Sequence, residues 1–348
     1  MSEKQRFVGL DIIRVLATLL VITTHSIAYL GVMGNDIHSP RWTVFLVIRF
    51  AALSCVPMFM LLTGYLNRKK QLSGTYFRGI LPVAISYIVI AIISICCTNS
   101  SGYTTLSVQQ SILSLFNFTA HGYAWYVEMY LGLYLLIPFL NKLFDALETA
   151  RNRLILCVIL CIMTNLPAAV ESFRIDGVAL DIVPEYWEAM YPISYYFIGA
   201  MINEYQPKIK KSISILLVGL AIIIPSGLCW LYSSAEEGYA WYMMNGFSCI
   251  TTGAIAVAIF LVFYDVKLPK YIAVVFRELS VCSFEIYLFS YIVDLWLYSQ
   301  NRYFMPAMVL TVFALSYALA RVYRLAATPL YKYLKGHRVR VSDSKSRK

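Results

Sequence analysis

The sequence predicts an all-α integral membrane protein, a bundle of about ten transmembrane helices with both termini in the cytoplasm. Three observations carry that expectation. The 348 residues are 59% hydrophobic and only 14% charged, where soluble proteins average about 25% charged. Ten apolar stretches are long enough to cross the hydrocarbon core of a bilayer. The basic residues between them gather in every second connection.

The first stretch, 7–30, is too long for a signal peptide, lacks a small-residue cleavage site, and carries Arg14 and His25. The second, 42–66, closes on Thr63-Gly64-Tyr65, and the third, 80–97, opens near Pro82. The fourth, 124–140, begins with Trp125 and Tyr126, aromatic residues of the kind that anchor a helix at the membrane surface. The remaining stretches are 154–170, 187–202, 213–232, 241–264, 279–298 and 304–325; the third and sixth are the shortest of the ten. The outer loop 99–123 is rich in Ser, Thr, Asn and Gly. Its uncharged middle, 106–118, has apolar residues at helical spacing, the pattern of an amphipathic helix lying in the interface. Residues 1–331 read as one transmembrane domain. The basic segment 332–348 reads as a disordered cytoplasmic tail near anionic lipid.

Charge tests this order. With ten spans, the inner side holds Lys4 and Arg6, then Arg68, Lys69, Lys70 and Arg78, then Lys142, Arg151 and Arg153. It goes on to hold Lys208, Lys210 and Lys211, then Lys267, Lys270 and Arg277, and finally the basic C-terminal region. The outer loops hold only Arg41, Arg174 and Arg302. An odd number of spans would break this alternation. The net charge of +10 is thus a topology signal and not a nucleic-acid surface. The eight cysteines form no CxxC pair and no cluster with metal-ligand spacing, and read as small buried hydrophobes. No metal site and no permanently bound cofactor is expected. The outer loops lean acidic, with Glu171, Asp176, Asp181, Glu185 and Glu188 in one and Glu236 and Glu237 in another. These are either solvated surface or a field that repels anionic ligands.

Asp11, Arg14 and His25 sit inside an otherwise apolar span. A charged side chain at the bilayer centre costs several kcal/mol, roughly 2.5–3.5 on the lenient insertion scale, so such residues face a protein interior or a water-filled path. Arg14 and His25 fall within roughly 20° of each other around a helix and about 16 Å apart along it, with Asp11 within about 40° of the same line. One helix would then aim a fixed cation and a titratable imidazole into one crevice. A neutral imidazole suits a general base. Arg14 needs an anion, which could be Asp11, Glu128 or a ligand phosphate; an Arg–Asp pair that only fixes packing remains the competing reading. Arg49 could meet an outer polar group or pair with Glu128 or Glu285, and Glu285 and Asp294 divide in the same way between packing and site. No Ser-His-Asp order, Walker loop or dinucleotide glycine pattern is present, which argues against an ATP-driven pump.

Four stretches then resemble the acyltransferase 3 family of membrane proteins. They are Asp11-Ile-Ile-Arg14 followed by His25; Val56-Pro57 through Thr63-Gly64-Tyr65; Trp125-Tyr126-Val-Glu128 through Tyr134 and Pro138; and Ser283-Phe-Glu285-Ile-Tyr287-Leu288. The resemblance implies transfer of an acyl group, often acetyl, from cytoplasmic acyl-CoA to an extracytoplasmic acceptor such as a surface polysaccharide. The setting would be a bacterial plasma membrane, alongside glycan-assembly proteins. The family's Arg and His fall on Arg14 and His25, and its basic patch falls around Arg68, Lys69 and Arg78. Arg14 and this patch would hold the donor phosphates. Arg49, Trp125, Tyr126, Glu128 and Glu285 are the acceptor-side candidates. His25 would deprotonate the acceptor hydroxyl or take the acyl group itself. The sequence departs from the family in three places. Only Arg78 precedes Pro82, Ser290 stands where a His is common, and His121 lies four residues before Trp125. Two other readings stay open: an exporter of a polysaccharide or lipid-linked sugar, and a non-catalytic scaffold in a glycan complex.

Overall fold

The computed structural model describes residues 8–31, 37–175, 178–233, 240, 244, 246–299 and 305–345. Lys4, Arg6, Asp176, Glu236, Glu237, Arg302, Arg347 and Lys348 fall outside them. The described chain is helical apart from one two-residue antiparallel hairpin, β1 (Arg174–Ile175) with β2 (Val178–Ala179). Six helical stretches are long and apolar enough to cross a membrane: 8–29, 40–67, 74–100, 125–146, 211–232 and 305–329. Each of the ten expected spans contains a helix. The chain clusters into two compact units.

The first unit comprises Met1–Lys69, Phe139–Val281 and Tyr303–Val309. It contains α1 (Val8–Tyr29), α2 (Pro40–Leu53) and α3 (Cys55–Asn67). The expected second span is therefore two helices, broken at Ser54. The cause is local. Pro57 lacks the N–H that would close on the Leu53 carbonyl, and its ring crowds that carbonyl. The Ser54 hydroxyl instead donates to the Ala51 carbonyl at 2.7 Å. Next come α8 (Ala150–Thr164) and α9 (Pro167–Val170), separated ahead of Pro167 where one span was expected. After a 3-10 turn at Glu185–Met190 follow α10 (Tyr191–Tyr205), α11 (Lys211–Tyr232) and α12 (Ile250–Phe263). α12 starts later than the apolar run beginning at 241 suggests.

Packing in this unit depends on small residues. A Cβ on Gly64 would lie 2.0 Å from the Tyr196 carbonyl oxygen, and one on Gly199 would lie 2.1 Å from that of Leu61. α3 and α10 thus cross backbone to backbone, the contact through which helices gain van der Waals attraction where lipid supplies no hydrophobic drive. Leu10, Ile13, Met58, Leu62, Ile255 and Phe260 fill the core that joins α1, α3 and α12. α11 turns Ile215, Leu216 and Ile223 outward, each at least 60% exposed, as a lipid-facing helix does.

The second unit comprises Lys70–Pro138, Cys282–Arg302 and Leu310–Lys348. It holds α4 (Gly74–Arg78), α5 (Leu81–Ser100), α6 (Val108–Phe116) and α14 (Met305–Lys345). α7 (Trp125–Ala146) and α13 (Lys270–Tyr298) contribute residues to both units, and the first five residues of α14 belong to the first unit. α14 runs on through Lys345, across the segment whose composition leads to the expectation of a disordered tail. A Cβ on Gly79, between α4 and α5, would lie 2.5 Å from the Tyr134 hydroxyl and 2.9 Å from the Tyr76 carbonyl oxygen.

α6 lies in the 99–123 loop, within the 106–118 stretch where the sequence predicts a helix. Ser107 and Gln110 cap its start reciprocally, and Asn99 near the end of α5 binds the Leu106 carbonyl at 3.1 Å. Its far end meets Tyr87, whose hydroxyl donates to the Leu115 carbonyl at 2.9 Å and whose ring stacks on Phe118 at 4.9 Å. Asn99 and Tyr87 are about 18 Å apart along α5. α6 therefore runs alongside α5, with Asn99 at one end and Tyr87 at the other.

Candidate functional site

α1 carries the first candidates. Asp11 is 3% exposed. Arg14, one turn on and on the same face, is part-exposed, and its guanidinium donates to the Ser280 hydroxyl at 3.0 Å. Ser280 sits on α13, 2% exposed, a partner that no motif marked. His25 is half-buried in the last turns of α1. The Thr24 hydroxyl beside it bonds the Leu20 carbonyl at 2.9 Å and also reaches the Cys55 thiol. The His25 end of α1 therefore faces the α2–α3 break. Arg49, on α2 just before that break, is buried at 7% exposure.

Arg68 was grouped with the donor-binding cations, but its charge is already met. Its guanidinium lies 2.6 Å from Asp145 and 3.4 Å from Glu204, and packs 4.1 Å from the Phe144 ring. Arg153 covers the other contact of that ring at 4.6 Å and approaches Glu204 at 3.9 Å. A buried guanidinium needs counter-charges, and the carboxylates on α7 and α10 supply them. Lys69 and Arg78 are exposed, in the first and second unit respectively.

The acceptor-side candidates of the second unit separate. Trp125 and Glu128 lie on the exposed face of α7, while Tyr126 is half-buried and packs 5.7 Å from Tyr287. Glu285 is 2% exposed and takes both arms of Arg324, at 3.0 and 3.2 Å, with Ser86 donating at 3.4 Å. Ser86 is in the first two turns of α5, beside the basic α4. Glu285 thus belongs to that end of the unit and not to the acceptor end with which the sequence reading grouped it. A buried carboxylate needs a fixed cation, and the fork of Arg324 provides two parallel bonds. Arg324 itself had been read only as a topology charge.

His121 lies in the connection between α6 and α7, yet it is 1% exposed. The Tyr123 N–H donates to its Nδ1 at 3.2 Å, so Nε2 carries the proton and donates to the Leu288 carbonyl at 2.5 Å. Leu288 lies about 15 Å before the end of α13. Two residues on, the Tyr123 hydroxyl donates to Asp294 at 2.7 Å, and Asp294 is fully buried with its second oxygen unpartnered. Length and charge alone could not show this, because a buried connection has the composition of an exposed one.

Among the described residues no group of three or more His, Cys, Asp or Glu side chains could hold a metal ion. The eight cysteines are free thiols. In the acidic outer loop, burial and then the neighbouring Glu185, Glu188 and Asp181 hold Glu171 above the usual carboxylate range. An apolar cavity of about 340 Å³, lined in part by Cys161, Tyr195, Leu217 and Val257, contains none of the candidate residues.

A family model described as an acyltransferase domain matches residues 7–323. No curated protein and no solved structure matches the chain.

Proposed function

The chain belongs to the acyltransferase 3 family, and from that premise we propose that this multi-pass membrane acyltransferase moves an acyl group, in the simplest case acetyl, from cytoplasmic acyl-CoA to a hydroxyl of an extracytoplasmic surface glycan. The reading places ten spans in a plasma membrane with both termini in the cytoplasm, as the alternation of basic connections requires. The observation that carries it is α1 itself, which bears Asp11, Arg14 and His25 on one side of a packed helix. Arg14, oriented by Ser280 and beside the buried Asp11, would take a donor phosphate or hold the donor's arm. Lys69 and Arg78 are the exposed cations available to the remaining phosphates, since Arg68 is held by carboxylates.

His25 acts as the general base. It removes the proton of the acceptor hydroxyl as that oxygen attacks the thioester carbonyl. The C–S bond breaks, CoA leaves as the thiolate, and the proton passes from the imidazolium to it. Arg49, Trp125, Tyr126 and Glu128 are the residues proposed to meet the acceptor.

The experiment is to incubate membranes containing the protein with radiolabelled acetyl-CoA and its glycan acceptor. Transfer of label to glycan with release of free CoA is expected. An exporter or a scaffold would leave acetyl-CoA intact, and that result would remove the enzymatic reading. Surface-glycan mass spectrometry with and without the protein then identifies the acceptor and the acyl group.

A further inference from the structure

The apolar cavity of about 340 Å³ lies wholly within the first unit, among α8, α10, α11 and α12. Along α12 its lining is a stripe of Ile250, Ala254, Val257 and Leu261. The stripe is about 16 Å long, close to one leaflet of a hydrocarbon core roughly 30 Å thick. α11 adds Leu217 and Ala221. On the α10 side the Tyr195 ring lies against Gly253, where a Cβ would sit 2.7 Å from it. Ile250, Ala254 and Leu217 are exposed, so the cavity is a groove open to the medium that bathes α11.

The two ends of the groove differ in charge. At the Leu261 end the Lys211 ammonium donates to the Leu261 and Val262 carbonyls, at 3.2 and 2.7 Å, and pairs with Asp265. The Tyr264 hydroxyl donates to the Pro207 carbonyl at 2.6 Å. These bonds draw the 206–210 connection onto the end of α12. Lys211 is spent in them and neutralises Asp265, while Lys208, Lys210 and Lys267 stay exposed around that end. Lys210 is also the N-cap of α11, where the helix dipole favours an anion. At the other end Asn165 lines the groove. Its amide donates to the Ser248 carbonyl at 2.6 Å, and its carbonyl oxygen accepts from Ser194 at 2.6 Å. The Ser248 hydroxyl donates to Glu188 at 2.5 Å, and Glu188 stands with Glu171, Asp181 and Glu185. That end is polar, satisfied and negative beyond.

The walls decide what the groove takes. Water needs two to four polar partners, and the stripe on α12 and its neighbours on α11 offer none. A hydrocarbon chain needs none. A chain that starts at the basic end carries an anion there, whereas a phosphate at the other end would meet carboxylates. We propose that the groove seats one acyl chain of an anionic phospholipid, with its phosphate among Lys208, Lys210 and Lys267 and its chain running along α12 toward Asn165. The alternation of basic connections puts that phosphate in the cytoplasmic leaflet. The lipid takes no part in acyl transfer; it completes packing that the small lining residues leave open beside α11.

The test is native mass spectrometry of the purified, delipidated full chain, titrated with phosphatidylglycerol or with phosphatidylcholine of identical long chains. One phosphatidylglycerol should bind at least about tenfold more tightly than phosphatidylcholine. The double variant Lys208→Gln, Lys210→Gln should weaken phosphatidylglycerol by about fivefold per lysine and leave phosphatidylcholine unchanged. Ala254→Phe fills the groove and should remove the tight site, while Ile223→Ala on the outward face of α11 should keep it. Dihexanoyl phosphatidylglycerol has the headgroup without the length and should bind weakly, a readout that holds even if Ala254→Phe fails to fold. Equal affinity for the two headgroups, or a lysine variant that binds like wild type, overturns the proposal. So does tight binding of the dihexanoyl lipid or of long-chain phosphatidylglycerol to Ala254→Phe, since surface charge alone would then explain it. Tight palmitoyl-CoA binding in place of phosphatidylglycerol, lost in Ala254→Phe, would give the groove to a donor chain. A doubled mass lost in the same variant would give it to a second copy. None of these readouts depends on acyl transfer, so failure of the donor reading would leave this proposal standing.

Discussion

Gly64 and Gly199 are reciprocal partners at one helix crossing: each lacks the Cβ that would strike the other helix's backbone, at 2.0 Å from the Tyr196 oxygen and 2.1 Å from the Leu61 oxygen. The Thr63-Gly64-Tyr65 motif thereby acquires a physical role, since α3 approaches α10 only where a side chain is missing. The obstacle on each side is backbone, which cannot swing aside. Gly199→Ala should destabilise the protein by at least about 1–3 kcal/mol, the range for overpacking. Gly219→Ala, where nothing lies within 4 Å, should be neutral or mildly stabilising. Thermal unfolding in detergent compares the two, and equal midpoints would contradict the crossing.

Arg14→Ala and His25→Ala should each abolish acyl transfer while leaving expression and membrane insertion intact. Neither residue belongs to the packed core of α1, whose buried positions include Ile13, Ala17 and Ile22. Label transfer from acetyl-CoA provides the measurement. Wild-type glycan acylation in cells carrying either variant would refute the assignment.

Arg68→Ala should act on stability more than on donor affinity. It leaves Asp145 without this cation, while Arg153 stays 3.9 Å from Glu204. Asp145 is 63% exposed and stays hydrated, so the loss is that of a surface pair, about 1 kcal/mol, together with the guanidinium's packing on Phe144. A lower unfolding midpoint with unchanged KM for acetyl-CoA in the surviving folded fraction is expected. The reverse pattern would return Arg68 to the donor site.

Glu285 and Arg324 should couple in a double-mutant cycle. Glu285→Gln and Arg324→Gln each strand a buried partner of the fork, and the double variant strands neither. A coupling of about 2–3 kcal/mol is expected, somewhat under the range for fully buried pairs because Arg324 is 29% exposed. Additive losses would mean the pair is only a neighbour contact.

His121→Ala should loosen the 106–123 segment without unfolding the long helices. It removes the bond to the Leu288 carbonyl and the acceptor for the Tyr123 N–H. Faster amide exchange confined to 106–123 is the expected readout. Acid should do the same in the wild type, because protonating Nδ1 sets an N–H against the Tyr123 N–H. Exchange in 106–123 indifferent to both changes would show that the segment is held elsewhere.

Much was legible along the chain. Apolar length marked the stretches in which the helices lie, because a bilayer imposes a length on every segment separately. The charged residues within α1 stood out for the same reason, being costly at membrane depth wherever they point. Helix boundaries were less legible. Pro57 and Pro167 break continuous apolar runs, a backbone event that hydropathy does not register. Partners were not legible at all. Arg68 and Arg324 look like surface topology charges until folding brings Asp145, Glu204 and Glu285 to them. His121 reads as an exposed loop residue until the 106–123 segment packs beside α5 and meets α13. Hydropathy records what a residue would meet in water or lipid, one position at a time; which carboxylate, carbonyl or ring it meets instead depends on contacts between segments far apart in the chain, and these exist only once the helices have packed.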